Sequence, residues 1–307
     1  MPMPARCRFL RRTSGVRKKL RTDCQRMQHS MNLNFSIKQL ASDLVDEIRK
    51  QHSVVVAFSG GVDSAVVAAA AYLAFPNHSI AITGVGSAVS ESDLRSARSV
   101  AKSIGIRHKE IPTHEILNEN YVRNDGRRCY FCKSTLYGTL RAWADANHFA
   151  CVMSGTNQDD LGDYRPGLQA ASEYSVVAPL VDLAITKMQV RELATYFELA
   201  VADKPASPCL ASRIAYGQSV TTERLQCIEQ AELFLASLGF SDVRVRLHAD
   251  SLVRLELGLE DMQRACEPAT RSAINDQMQR LGFKFVTLDL MGRQSGSLNR
   301  ALPIITL

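Results

Sequence analysis

Apolar and polar positions alternate along the first two-thirds of the chain with two different periods. Short apolar runs of strand length stand at VVVAF (54–58), IAITGV (80–85) and ACVMSG (150–155). Between them, apolar residues recur at helical spacing, predicting one helix from about Val62 to Leu73 and another from about Glu91 to Ile104. This β-α-β-α order predicts an α/β fold with a parallel, doubly wound sheet. HKEIP (108–112) and VVAPL (176–180) read as further strands. TKMQVRELATYFEL (186–199) reads as a helix with Met188, Val190, Leu193, Ala194 and Phe197 on its apolar face. The first domain is expected to span 31–213.

After Gly217 the pattern changes. A helix over 221–238 is followed by strand-like runs at 242–249 and 252–258, a helix over 260–281 and a last strand over 283–290. That order predicts a smaller α+β domain, 214–307, built on an antiparallel sheet. In Val243-Arg244-Val245-Arg246-Leu247 the period of two puts both arginines on one face. No internal repeat is present.

Charge matters here through its distribution. The formal charge is +6 over 307 residues, yet residues 1–30 hold nine Lys/Arg and one acidic residue, leaving 28 basic against 30 acidic side chains in the body. The body is therefore not expected to bind nucleic acid. Segment 1–30 lacks a helical apolar period and reads as a disordered basic extension. An extension upstream of a start at Met31, an Arg-rich targeting segment and a nucleic-acid arm all fit it. No apolar stretch reaches the roughly 20 residues of a membrane helix. A cytoplasmic protein without a membrane partner is expected.

The candidate chemistry begins at AFSGGVDSAVV (57–67), between the first strand and the first helix. Ligands of a doubly wound sheet bind at the carboxyl ends of its strands, where this turn sits. Gly60 and Gly61 allow close backbone approach, and the N–H groups of Val62, Asp63 and Ser64 open the next helix toward a bound anion. The loop is neither the G-x-x-x-x-G-K-[ST] type nor the G-x-G-x-x-G type. Gly155-Thr156-Asn157 and Asp159-Asp160 follow another strand and stand at the same edge. There the acidic groups suit Mg2+ or a sugar hydroxyl, or a plain solvated turn. Lys187 opens a helix, as a phosphate ligand or as a surface lysine.

Eight cysteines stand at 7, 24, 129, 132, 151, 209, 227 and 266. A chain of this size is not a disulfide scaffold, so reduced thiols or metal ligands are expected. Cys151, Cys227 and Cys266 lie in apolar or helical patterns and read as small core residues. Cys129 and Cys132 form a C-x-x-C, and Cys209 follows much later. Three thiolates lack the fourth ligand of structural zinc and suit a 4Fe-4S cluster with one open iron; a redox C-x-x-C and unrelated thiols remain alternatives.

S-G-G-x-D-S after a strand resembles the PP-loop of ATP pyrophosphatases, which cleave ATP between its α and β phosphates. That resemblance implies that Ser59, Gly60, Gly61, Asp63 and Ser64 hold pyrophosphate and its Mg2+. N-x-x-x-RCYFCK, SGTNQDDLGDYRPGLQAASE, APLVDLAITKMQVRELA, KPASPCLASRIAYG and LGFSDVRVRLH together resemble the LarE family of ATP-dependent sacrificial sulfur transferases, from about residue 33 to 299. What the resemblance implies is adenylation of pyridinium-3,5-biscarboxylic acid mononucleotide by ATP and replacement of AMP by sulfur. The resulting thiocarboxylate leads to the nickel-pincer nucleotide cofactor of lactate racemase.

In that family the cysteine matching Cys209 handles sulfur, either by surrendering its own atom or, in the three-cysteine branch, as one ligand of a 4Fe-4S cluster. Cys129 and Cys132 put this chain in the second branch by resemblance. Gly155, Thr156 and Lys187 then belong to the ATP site. Ser212 and Arg213 are implied to hold the substrate phosphate, and Arg244, Arg246 and Glu256 to form the site wall. Read from the strand alone, Arg244 and Arg246 equally fit the solvated face of an edge strand. The family's habit points to a homo-oligomer that serves other proteins of the nickel-pincer pathway. A PP-loop tRNA thiolase using an iron-sulfur cluster is the alternative.

Overall fold

Val54, Val55 and Val56 are fully buried, and their alternation divides them between two helical layers. The computed structural model describes residues 36–162, 166–205, 207–294 and 297–298. The basic extension expected at 1–30 lies outside the described residues. A first helix, α1, covers 36–49. There follow β1 (Val54–Ala57), α2 (Val62–Ala74), β2 (Ser79–Val85), α3 (Glu91–Ile104), β3 (Arg107–Pro112), α4 (Glu119–Val122), α5 (Arg128–Ala146) and β4 (Cys151–Met153). Helices α6 (Pro166–Glu173), α7 (Pro179–Asp182) and α8 (Lys187–Tyr196) complete the first unit. The second contains α9 (Thr222–Ser237), β5 (Arg244–Leu247), β6 (Leu252–Glu256), α10 (Met262–Cys266), α11 (Pro268–Arg280) and β7 (Phe285–Leu288).

The first sheet has the order β3-β2-β1-β4 with every neighbour parallel. Val54 and Val56 pack with α1, α2, α3 and α8 on one face, and Val55 with Tyr137, Leu140 and Ala144 of α5 on the other. Each valine so buried contributes about 1.5–3 kcal/mol. The strand order reverses between β1 and β4, which opens a crevice at their carboxyl ends. His108 and Thr83 brace that end. The single hydroxyl proton of Thr83 goes to the Phe58 carbonyl at 2.9 Å, so His108 donates from Nε2 to Thr83 Oγ1 at 2.8 Å.

In the second unit β5-β6-β7 form a three-stranded sheet covered by α9 and α11. Its apolar cluster runs on into Ala88, Tyr121, Leu210, Ala211 and Ile214 of the preceding chain. No helix among the described residues is long and apolar enough to cross a membrane.

Several expectations are corrected. The run 176–180 is not a strand: Val177 makes one isolated bridge to Met153, and Pro179, which has no N–H, starts α7 instead. The second sheet is not wholly antiparallel. β5 and β6 are, but β7 returns through α10 and α11 and joins β6 in parallel, a pairing that needs such a crossover. The helix expected over 260–281 breaks at Pro268, which cannot continue α10 and begins α11. Met188 is exposed and leaves the inner face of α8 to Val190, Leu193 and Ala194. Cys151 is buried as expected, Cys227 is half-buried, and Cys266 is exposed.

Candidate active site

The loop after β1 is folded by its own hydroxyls. Ser64 Oγ donates to the Gly61 carbonyl at 3.1 Å and lies 3.2 Å from Ser59 Oγ. Gly61 is the N-cap of α2 and offers no side-chain cap, so the first-turn N–H groups stay uncapped by side chains. Gly60 has a left-handed backbone (φ 70°), and a Cβ there would come within 2.7 Å of the Ala97 Cα on α3. Gly155 follows β4 and lies against the first turn of α2, where a Cβ would come within 2.6 Å of the Ser64 nitrogen. The two loops flanking the crevice are thus in backbone contact.

Asp63 is held from both sides. Asn157 Nδ2 donates to one carboxylate oxygen at 3.0 Å, and Lys187 Nζ to the other at 2.5 Å. Thr186 caps α8 with a full capping box and thereby orients Lys187, whose own N–H donates to Asp159 at 2.8 Å. The predicted Ser59, Gly60, Gly61, Asp63, Ser64, Gly155, Thr156 and Lys187 therefore form one group. In it Lys187 faces a carboxylate instead of projecting freely.

Lys204, Ser207 and Leu210 are fastened to α3 and the turn before it. Lys204 Nζ donates to Ser96 Oγ at 2.8 Å, Ser207 Oγ to Asp93 at 3.3 Å, and the Leu210 N–H to the Ala88 carbonyl, just past β2, at 2.9 Å. Cys209 is exposed there, at the strand edge where the phosphate loop also lies. Cys129, exposed, and Cys132, half-buried, occupy the first two turns of α5. Burial pushes the Cys132 thiol up to about 12, with the neighbouring Cys209 as the next cause. Burial opposes the Arg128 cation, but Cys209, Cys129, Tyr216 and Tyr121 together more than offset it and its pKa rises. The Tyr121 hydroxyl beside them is buried without a hydrogen-bond partner.

Among the described residues no three His, Cys, Asp or Glu side chains close around a single metal ion. Cys132 interacts electrostatically with Cys209 and Cys129, but the three thiols do not close into such a group.

The anion-binding candidates are enclosed. Arg213 is buried, forks onto Glu232 at 3.0 and 3.1 Å, and donates to the carbonyls of Pro208 and Cys209. Arg246 donates to the Ser212 carbonyl at 3.0 Å and pairs with Glu256 at 2.9 Å. Glu256 is fully buried and also pairs with Arg254 at 3.0 Å. Arg244 is half-buried, and burial, then the charge of Arg213, lower its pKa. β5 is an edge strand, but its arginine face is not solvated.

Sequence reasoning gave no role to Glu232, Arg254, Asn124 or Arg128, although the last two stand in N-x-x-x-RCYFCK. Of these, Arg254 was legible, because it shares with Glu256 the period of two along β6. Replacing Glu256 with Gln leaves two guanidinium groups short of one buried negative charge. Urea unfolding of Glu256→Gln is expected to show a loss of about 3–5 kcal/mol.

A glycine loop of this kind, between the first strand and the first crossover helix of a parallel sheet, defines an ATP pyrophosphatase of the PP-loop class. The NAD synthase family model matches residues 36–207. A pyridinium-3,5-bisthiocarboxylic acid mononucleotide synthase of Lactiplantibacillus plantarum is 33% identical over 84% of this chain and 93% of its own length. An uncharacterized protein of Synechocystis is 44% identical over 81% of this chain and 92% of its own. A tRNA-specific 2-thiouridylase of Rickettsia peacockii is 28% identical over 52% of this chain and 53% of its own. The chain belongs to the LarE family of ATP-dependent sulfur transferases.

Proposed function

We propose that this chain converts a carboxylate of pyridinium-3,5-biscarboxylic acid mononucleotide into a thiocarboxylate, driven by ATP, toward the nickel-pincer nucleotide cofactor of lactate racemase. In the first half-reaction a carboxylate oxygen attacks the α-phosphorus, the bond to the β-phosphate oxygen breaks, and pyrophosphate leaves. Ser59, Gly60, Gly61, Ser64, Gly155 and Thr156 cradle the triphosphate. Asp63 holds Mg2+, and Lys187 turns from Asp63 to a phosphate oxygen. In the second half-reaction a sulfur nucleophile beside Cys209 adds to the acyl carbon. The carbon–oxygen bond to AMP then breaks with its electrons on AMP, and any proton on the incoming sulfur goes to solvent.

Ser212, Arg213, Arg244 and Arg246 gather the anionic substrate, with Glu256 orienting Arg246. Cys129, Cys132 and Cys209 would hold a 4Fe-4S cluster. Such a cluster supplies, when bound, an iron with an open position for sulfide. The domain boundary in this reading falls near Arg213, so the sulfur loop joins the two units. The enzyme works in the cytoplasm as a homo-oligomer and serves other proteins of the nickel-pincer pathway. Exposed Leu259, Phe285, Leu290 and Met291 near edge strand β7 support self-association. The near-neutral body argues against a tRNA substrate.

The observation that most supports this reading is the exposed Cys209 next to the carboxyl edge of the parallel sheet, tied there by the Leu210 to Ala88 bond. Anaerobic reconstitution with iron and sulfide tests it. About four irons per chain are expected, lost together with product in Cys129→Ala, while pyrophosphate release persists. A fully active, iron-free Cys129→Ala protein would overturn the cluster assignment.

A further inference from the structure

Cys129 and Cys132 ride on α5, whereas Cys209 arrives on a loop from much later in the chain. The three thiols share a neighbourhood only if that loop is fixed to that helix. The residues just ahead of the C-x-x-C make this connection. Asn124 is fully buried and holds a left-handed backbone (φ 55°). Its side-chain nitrogen donates toward the carbonyls of Ile214 at 3.3 Å, Ala215 at 2.9 Å and Gln218 at 2.8 Å. Its side-chain oxygen accepts from Arg128 Nη1 at 2.6 Å, and the same nitrogen donates to the Ala211 carbonyl at 2.8 Å.

Two backbone bonds add to these, Gly217 N–H to the Asn124 carbonyl at 3.0 Å and Val220 N–H to the Val122 carbonyl at 2.9 Å. Arg128 is buried beside Cys129 and, among the described residues, pairs with no carboxylate. Keeping such a cation in the interior is expensive unless its donors are used, and Nη1 divides its bonds between Asn124 and Ala211 on the loop after Cys209.

We propose that Asn124 and Arg128 are positioning residues: a buried clamp that sets where Cys209 stands relative to Cys129 and Cys132. The inference rests on reading the three cysteines as one sulfur-handling centre. Neither side chain is assigned a role in the reaction itself.

Asn124→Asp is the informative change. It preserves shape and the acceptor for Arg128, but it turns the amide that serves three carbonyls into a carboxylate oxygen that repels them. The readout is cross-linking of the full-length, iron-free protein with a short bis-maleimide, mapped by peptide mass spectrometry. In the wild type, Cys209 cross-links to Cys129 or Cys132, alongside the Cys129–Cys132 link. In Asn124→Asp the links to Cys209 are expected to fall at least about tenfold while the Cys129–Cys132 link, carried wholly on α5, keeps its yield.

Asn124→Gly retains the left-handed backbone without the amide and is expected to behave in the same way. Arg128→Lys, which keeps the charge but not the fork, tests the other half should either Asn124 variant fail to fold; it too must lower only the Cys209 links. Unchanged Cys209 links, an equal fall in all links, or no Cys209 links in the wild type would each overturn the clamp. A Cys209→Ser protein that still makes thiocarboxylate would instead overturn the sulfur-centre reading, whatever the cross-links show.

Discussion

Cys209→Ser protein is expected to release pyrophosphate from ATP at close to the wild-type rate and to form thiocarboxylate at least about 10³-fold more slowly. The split follows from where this residue sits. Its backbone carbonyl carries the local structure, accepting from Ser212 Oγ at 2.7 Å and Arg213 Nη1 at 3.0 Å, and a serine leaves both bonds in place. The side chain is exposed, so the fold has little to lose. In the proposed reading, adenylation belongs to the loops after β1 and β4, which Cys209 does not enter. Pyrophosphate release and product mass spectrometry check the two half-reactions separately. Intact mass of the wild-type chain after several turnovers adds the source of sulfur. An unchanged mass fits delivery at the cluster, and loss of hydrogen sulfide from Cys209 fits self-sacrifice.

Gly60→Ala should do the reverse, suppressing adenylation by about 100-fold or more and lowering stability by about 1–3 kcal/mol. The methyl group would meet the Ala97 backbone at 2.7 and 2.9 Å, in a backbone conformation alanine disfavours. Neither partner is a flexible side-chain tip, so α3 or the phosphate loop must shift. Gly61→Ala meets only Ser59 Oγ, at 3.3 Å, and should fold normally; Gly162→Ala, with nothing within 4 Å, is the control. Pyrophosphate exchange and urea denaturation together measure the effect.

Local signals made much of the first unit legible. Helix α3 begins and ends where expected because Ser90 caps it by accepting from the Asp93 N–H and Gly105 terminates it with a left-handed backbone. The phosphate loop was readable because its glycines and hydroxyls are needed within six consecutive residues. Helix α5 was not, since its buried apolar positions are only Tyr137, Leu140 and Ala144, with a buried arginine at its first residue. The run 176–180 misled because strand-like composition says nothing about whether a partner lies alongside for more than one residue. The parallel return of β7 depends on a crossover whose two helices read as one. Glu232 left no signal, and Asn124 and Arg128 stood in N-x-x-x-RCYFCK without a legible role, because their partners are backbone carbonyls or side chains far along the chain.

The Lys187–Asp63 pair has a consequence for selectivity. A pocket made of amide N–H groups and an unengaged ammonium would collect any small anion in the cell. Here the ammonium already has a counter-ion, and a bare inorganic phosphate would have to separate the two and leave the carboxylate stranded. A triphosphate that arrives with its own divalent cation offers each partner a replacement in the same event. On the proposed reading, the cradle would favour metal-complexed nucleotide by exchange of ionic partners, a preference that shape alone would not supply.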